Sequence, residues 1–195
     1  MLHGVVLCGG HSRRMGSPKA MLPWGDSTLL SHAATRLRLA GLDPLCAGPN
    51  EWAAEIGCPS LVDEPAGVGP LGGIAAALTS GDCFVLAVDM PLLTADEIRR
   101  LVAAGAARRK LVLPRVAERF QPLAAYWPAD ILPALRTYLS QGGRAIHGFL
   151  DAQDTVCLDE SGLETIGVSP LHFAGVNDPE AYRSLLTQAL GGTSK

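Results

Sequence analysis

Leu7-Cys8-Gly9-Gly10-His11-Ser12-Arg13-Arg14-Met15-Gly16-Ser17-Pro18-Lys19 sets two adjacent glycines, two arginines and a lysine directly after an apolar run. Glycines without Cβ let a ligand approach the backbone, and successive free N–H groups form a concave anion site. With Arg13, Arg14 and Lys19 beside it, the chemistry suited to this loop is polyphosphate binding. The spacing is not that of a Walker A loop, which needs lysine directly after its second glycine; here Ser17 and Pro18 intervene. Nor is there a G-x-G-x-x-G dinucleotide fingerprint.

Asp89 follows a second apolar run, Phe84-Val85-Leu86-Ala87-Val88, and precedes Met90-Pro91. A carboxylate at a strand end suits a hard cation, because Mg²⁺ bound to substrate phosphates takes only one or two protein carboxylates. The alternative is a cap of the turn that follows. Asp63 precedes Glu64-Pro65-Ala66-Gly67-Val68-Gly69-Pro70-Leu71-Gly72-Gly73, a stretch in which glycines allow close approach of a flat ligand. Read otherwise, it is a surface Ω-loop. Gln121, Arg144 and Asn177 lie beside expected strand ends or helix starts in the second half; each taken alone reads as a surface residue. Arg144 follows Gly142-Gly143 at an expected helix start, where it is placed to contact a phosphate.

The elements that must position these groups alternate between strand and helix. Residues 2–7 read as a buried strand and 28–40 as a helix capped by Asp26 or Ser27. Residues 44–47, 50–56 and 60–62 read as strand, short helix and short strand. Pro70 opens a helix in its first turn, where its missing N–H is tolerated. Residues 83–88 are the expected sheet centre. Thr94 caps a helix reaching about residue 107, and 110–113 is the next strand. This is the α/β pattern of a mostly parallel sheet with helices on both faces. After Leu113 the rhythm changes, giving a smaller antiparallel addition: a strand at 120–127, helices at 129–139 and 144–150, strands at 155–158 and 172–174, and a closing helix at 178–190. Residues 191–195 read as a flexible tail. In open α/β sheets ligands bind beyond the carboxyl ends of the strands. That rule gathers residues 8–19, 63–73 and 89–91 into one crevice.

The 195-residue length suits one domain with a full core. The net charge of −3, with scattered basic residues, gives no support for a nucleic-acid surface. No apolar run reaches the roughly 18–20 residues of a membrane span, and no signal-peptide pattern opens the chain. The expected location is cytoplasmic. Five separated cysteines without a C-x-x-C pair argue against a disulfide framework or a zinc site.

These segments together resemble the molybdenum cofactor guanylyltransferases, the MobA-type nucleotidyltransferases. Residues 7–19 resemble their L-x-G-G-x-S-x-R-M-G…K loop, Gly69-Pro70-Leu71-Gly72-Gly73 their second loop, and Asp89-Met90-Pro91 their D-x-P. Gln121-Pro122-Leu123-Ala124, Gly143-Arg144 and Val176-Asn177-Asp178-Pro179-Glu180 resemble their pterin-side segments and closing motif. The matches recur in family order from residue 4 to 183. Cys8 stands where alanine is common, and Gly175 and Asp178 replace an asparagine and the threonine of the closing motif. The resemblance implies a single Rossmann-like nucleotidyltransferase domain over 1–190, with a nucleotide-binding half at 1–113 and a pterin-side half at 114–190. It implies transfer of GMP from GTP to the phosphate of Mo-molybdopterin, with Mg²⁺ and release of pyrophosphate. Leu7, Cys8, Gly9, Lys19, Asp63 and Asp89 would bind GTP. Arg14, Lys19 and Asp89 would be catalytic, with Asp89 holding the metal. Gln121, Arg144 and Asn177 would face the pterin. Molybdoenzyme apoproteins or cofactor chaperones are further partners the resemblance leaves open. Rivals are a cytidylyltransferase using CTP and a non-catalytic carrier of the pterin cofactor.

Overall fold

The first apolar run is strand β1 (Leu2–Leu7), buried from Gly4 onward. The computed structural model describes residues 2–9, 18–62 and 67–191. A short hairpin, β2 (Pro23–Trp24) and β3 (Ser27–Thr28), leads into α1 (Leu29–Leu39). Strand β4 (Asp43–Ala47), helix α2 (Asn50–Glu55), strand β5 (Ser60–Leu61), helix α3 (Pro70–Leu78) and strand β6 (Asp82–Ala87) follow. Then come α4 (Ala95–Arg108), β7 (Leu111–Val116), β8 (Arg119–Phe120), β9 (Ala124–Trp127), α5 (Leu132–Ser140) and α6 (Ile146–Leu150). The chain closes with β10 (Thr155–Leu158), α7 (Glu160–Thr165) and α8 (Pro179–Gly191).

The main sheet runs β10-β7-β9-β6-β1-β4-β5, with β8 paired to β7. β6 lies at its centre, as its continuous apolar sequence requires. β1 pairs in parallel with both β4 and β6, β4 with β5, and β10 with β7. The antiparallel part is β9, inserted between β6 and β7, with the β7–β8 hairpin beside it.

Side chains alternate across the strands, so each sheet face carries its own core. Val6, Phe84, Leu86 and Tyr126 pack under α1, α2, α4 and α7. Val5, Leu7, Val85 and Trp127 pack under α3, α5 and α6. Burying each large side chain of this kind contributes about 1.5–3 kcal/mol, which makes the strands a stiff base for the loops at their ends. A Cβ at Gly4 would lie 2.9 Å from Leu37 Cδ1, so the missing side chain lets α1 settle closely onto β1.

Several local expectations are corrected. The cap of α1 is Thr28, whose Oγ1 accepts from the Ser31 amide at 3.1 Å; Asp26 and Ser27 belong to the hairpin before it. The strand expected over 120–127 is divided into β8 and β9 by a turn in which Ala124 N donates to Gln121 O. Residues 172–174 are not a strand: Pro170–Phe173 form a 3-10 turn. α7, capped by Asp159 through Gly162 N, had no counterpart in the sequence reading. Of the tail, residues 192–195 lie outside the described residues.

Thr94 caps α4 as expected, and Glu97 completes a capping box with it. Glu97 does more. It is 5 % exposed and also accepts from Ser169 N at 2.8 Å and His172 Nδ1 at 2.9 Å. Burial raises its pKa, but these hydrogen bonds and those from Thr94 outweigh burial and hold the carboxyl below its usual range. The charged node ties the segment before α8 to the start of α4. That segment then runs back over the end of β6.

Candidate functional site

The carboxyl ends of β1, β4 and β6 lie side by side. Past the regular strands, Cys8 N still donates to Ala47 O at 3.2 Å and Val88 N to Leu7 O at 3.2 Å. The three strand ends therefore form one continuous rim. A cavity of about 650 Å³ opens there, lined by Leu7, Cys8, Gly9, Lys19, Ala47, Asp89 and the start of α3. Gly69 precedes α3 with φ +71°, a left-handed conformation that glycine adopts without strain, and Pro70 starts the helix. The amino end of α3 points its partial positive charge at this cavity.

Cys8 lines the cavity while its sulfur lies 3.2 Å from Cys46 Sγ. The hydrogen bond with Cys46, and then burial, raise the Cys8 thiol well above its ordinary pKa. It is a neutral packing group. A Cβ at Gly48 would meet that sulfur at 2.4 Å, so residue 48 makes room for it.

A second cavity, about 580 Å³, lies on the other side of Asp89. Its walls include Met90, Arg119, Phe120, Gln121, His147 and Asn177. Asp89 is common to both cavities. Lys19 Nζ lies 3.2 Å from Asp89 Oδ2 and 3.5 Å from Asn177 Oδ1. The Lys19 and Asp89 side chains are 21 % and 27 % exposed, so both are open to a ligand. Asn177 is held in place because Val176 N donates to Asp89 O at 2.7 Å. Asp178 accepts from Glu180 N and Ala181 N at 3.0 and 2.8 Å, capping α8. Aspartate serves the cap as well as threonine would.

The structure thus brings together Leu7, Cys8, Gly9, Lys19 and Asp89 on one side, and Gln121 and Asn177 on the other. Arg144 lines neither cavity. It is exposed, and its Nη1 donates to Leu139 O at 3.1 Å and Gly143 O at 2.6 Å, closing the carboxyl end of α5. Arg14 and Asp63 lie outside the described residues. Sequence reasoning missed Arg119, Phe120 and His147. The β7–β8 turn that presents the first two uses Ala117 and Glu118 at φ +48° and +59°. Neither residue type announces a left-handed turn as Asn-Gly would.

Among the described residues, no group of three or more His, Cys, Asp or Glu side chains is arranged to hold a metal ion. A single partly exposed carboxylate between two cavities is still what Mg²⁺ requires when substrate phosphates supply the other ligands. Asp89 fits that description.

The loop after β6 is gripped from α1. His32 Nε2 lies 3.0 Å from Pro91 O. Burial, and then the nearby Arg36 charge, push the His32 pKa down to about 4. The ring is neutral at pH 7, and the Nε2–H tautomer donates to the carbonyl. Unfolding returns His32 to its ordinary value near 6.5, so between about pH 6.5 and 4 the unfolded chain binds a proton that the folded chain does not. Stability from this residue is complete above pH 6.5 and falls with pH through that window, with a slope of at most about 1.4 kcal/mol per pH unit. Urea titrations of wild type and His32→Gln should therefore differ more at pH 7.5 than at pH 5. A difference independent of pH would refute the assignment.

Residues 4–156 match the model of the MobA-like NTP transferase domain. The chain is 35% identical over 162 residues to a probable molybdenum cofactor guanylyltransferase of Opitutus terrae, covering 77% of this chain and 78% of that protein. It is 36% identical over 173 residues to one from Mycolicibacterium paratuberculosis, covering 82% and 87%. Among solved structures, molybdopterin-guanine dinucleotide biosynthesis protein A of Archaeoglobus fulgidus has the same fold, with a TM-score of 0.84 at 24% identity over 99% of this chain and 100% of that one. No helix among the described residues is long and apolar enough to cross a membrane.

Proposed function

The chain belongs to the MobA-like NTP transferase family, and from that premise we propose that it transfers GMP from GTP to the phosphate of Mo-molybdopterin, releasing pyrophosphate. The observation that carries this reading is the shared position of Asp89, with Lys19 against it, between two cavities. A reaction joining two phosphates needs two binding sites meeting at one charged point. GTP takes the cavity at the ends of β1, β4 and β6; the pterin takes the one beside Gln121 and Asn177. Arg14 and Asp63 keep the phosphate and nucleoside roles that their motifs suggest.

The attacking group is a phosphate monoester oxygen, already ionised near pH 7, so no strong general base is required. What this chain supplies is alignment and positive charge. Lys19 holds the phosphates, and the amino end of α3 faces them. Gly9, Gly67, Gly69 and Gly73 line the nucleotide cavity and let the triphosphate approach the backbone there. Mg²⁺ held by Asp89 would offset negative charge on the triphosphate and on the departing pyrophosphate. The reading places the reaction in the cytoplasm. Molybdoenzyme apoproteins or cofactor chaperones would receive the product.

The test is pyrophosphate release from GTP, CTP, ATP and UTP in the presence of Mg²⁺ and Mo-molybdopterin. Backbone groups that read the guanine edge are left unpaired by a cytosine, so GTP should be preferred over CTP by about 10²-fold or more in kcat/KM. Equal turnover of the two would remove the guanylyl assignment. Binding without turnover of any nucleotide would favour a cofactor carrier.

A further inference from the structure

Asp89 has no regular strand to hold it, because β6 ends at Ala87. Its carbonyl is taken by Val176 N. The next carbonyls of the loop are taken from α1. Arg36 Nη1 donates to Met90 O at 3.0 Å and to Leu93 O, and His32 Nε2 donates to Pro91 O at 3.0 Å. His32 and Arg36 are four residues apart, so they stand on one helix face and reach the loop together.

Arg36 is an expensive way to fill that space. It is 6 % exposed, and its Nη2 is buried with no hydrogen-bond partner among the described residues. A buried charge and an unpaired donor both oppose folding, and a leucine would pack the same face without either. Both bonds to the loop leave one nitrogen, Nη1, whose two N–H groups are fixed in the guanidinium plane and so hold the two carbonyls at a set angle, unlike the freely rotating donors of an ammonium. The carbonyls it fixes belong to Met90, which lines the second cavity, and to Leu93, the far end of the same loop. Burial pulls the Arg36 pKa down to about 10, with the Glu97 carboxylate on α4 opposing the shift, so the guanidinium stays charged near pH 7.

We propose that Arg36, with His32 beside it, is a positioning residue for guanylyl transfer: it sets the 90–93 backbone so that the Asp89 carboxylate stays at the boundary between the two cavities and Met90 in the wall of the second. This rests on the guanylyl-transfer reading. Neither side chain touches substrate; both act through carbonyl oxygens of the loop.

The test compares wild type, Arg36→Lys and His32→Ala by Mg²⁺-dependent turnover, thermal melting and amide hydrogen exchange of a peptide spanning 88–94. Lysine keeps the charge but lacks the two in-plane donors of Nη1. In Arg36→Lys the 88–94 peptide should exchange about tenfold faster while peptides from β1 and β6 are unchanged. Because small misplacements are costly, kcat should fall about 10- to 100-fold, with half-saturating GTP moving less than about threefold. His32→Ala should show the same pattern at smaller size, and it carries the test if Arg36→Lys does not fold. Unchanged loop exchange in a folded variant overturns the positioning role, as does exchange that quickens uniformly across the chain. Exchange is read without turnover, so a wild type that transfers no GMP would overturn the reaction and leave the loop result to decide the positioning role on its own.

Discussion

Asp89→Asn should lower Mg²⁺-dependent GMP transfer by about 10²- to 10³-fold while the protein stays folded. The substitution removes one negative charge and almost no volume. What holds residue 89 is its backbone, through the Val176 amide at 2.7 Å, and asparagine keeps that bond. β6 is stabilised by apolar burial that ends before the side chain concerned. The lost Lys19–Asp89 ion pair is partly exposed and contributes at most about 1 kcal/mol. A carboxylate that only caps a turn is replaced well by asparagine, so the two roles give opposite outcomes. Pyrophosphate release across a Mg²⁺ series, with melting curves for both proteins, measures the difference. Near-normal turnover by folded Asp89→Asn would reject the metal role and much of the proposed mechanism.

Lys19→Ala should weaken GTP binding by about 10- to 150-fold, the equivalent of one charge-assisted phosphate contact of about 1.5–3 kcal/mol. Lys19 starts a short 3-10 turn (Lys19–Met21) whose buried residue is Ala20, so truncation opens no core cavity. The lysine ammonium touches both Asp89 and Asn177. Its loss should therefore also reduce turnover with saturating GTP, because the boundary between the two cavities loses its cation. Isothermal titration with GTP and turnover at saturation separate the two effects. Affinity and rate both equal to wild type would show that Lys19 serves neither substrate.

The nucleotide side was legible because its requirements fall on consecutive residues. A buried parallel strand is a continuous apolar run, and the chemistry sits directly past its end. The Gly9-Gly10 loop and Asp89 are read in this way, while Leu7 and Cys8 as nucleotide contacts come from the family resemblance. The pterin-side wall was harder to read. Arg119 and Phe120 face the cavity only because Ala117 and Glu118 adopt a left-handed turn, which tertiary context imposes and local propensity does not announce. Arg144 followed a glycine pair at an expected helix start, yet its donors go to carbonyls of the preceding helix. Arg36 sits on a helix whose alternation of polar and apolar residues does not show that a charged one is turned inward. Its partners are 54 and 57 residues away in the chain, and no local pattern encodes them. Residues 172–174 read as a strand for a similar reason, though they lie in and just after the 3-10 turn Pro170–Phe173, where His172 is fixed by the distant Glu97.

The insertion of β9 between β6 and β7 bears on how the molecule is assembled. Ribosomal synthesis delivers β7 before the strand that joins it to the rest of the sheet. Until residues 124–127 arrive, the apolar β6 has one edge without a partner, and such an edge invites pairing with other chains. On the proposed function residues 1–113 would hold the nucleotide, yet they are not a folding unit, since β7 (Leu111–Val116), which runs across residue 113, reaches β6 only through the later strand β9. The same late strand follows Leu123, whose carbonyl accepts from Ala87 N at the cavity rim. On the proposed function, the cavity that would take GTP is therefore completed by a residue from the second half of the chain. Exchanging either half between relatives would therefore cut through a shared sheet and a shared rim.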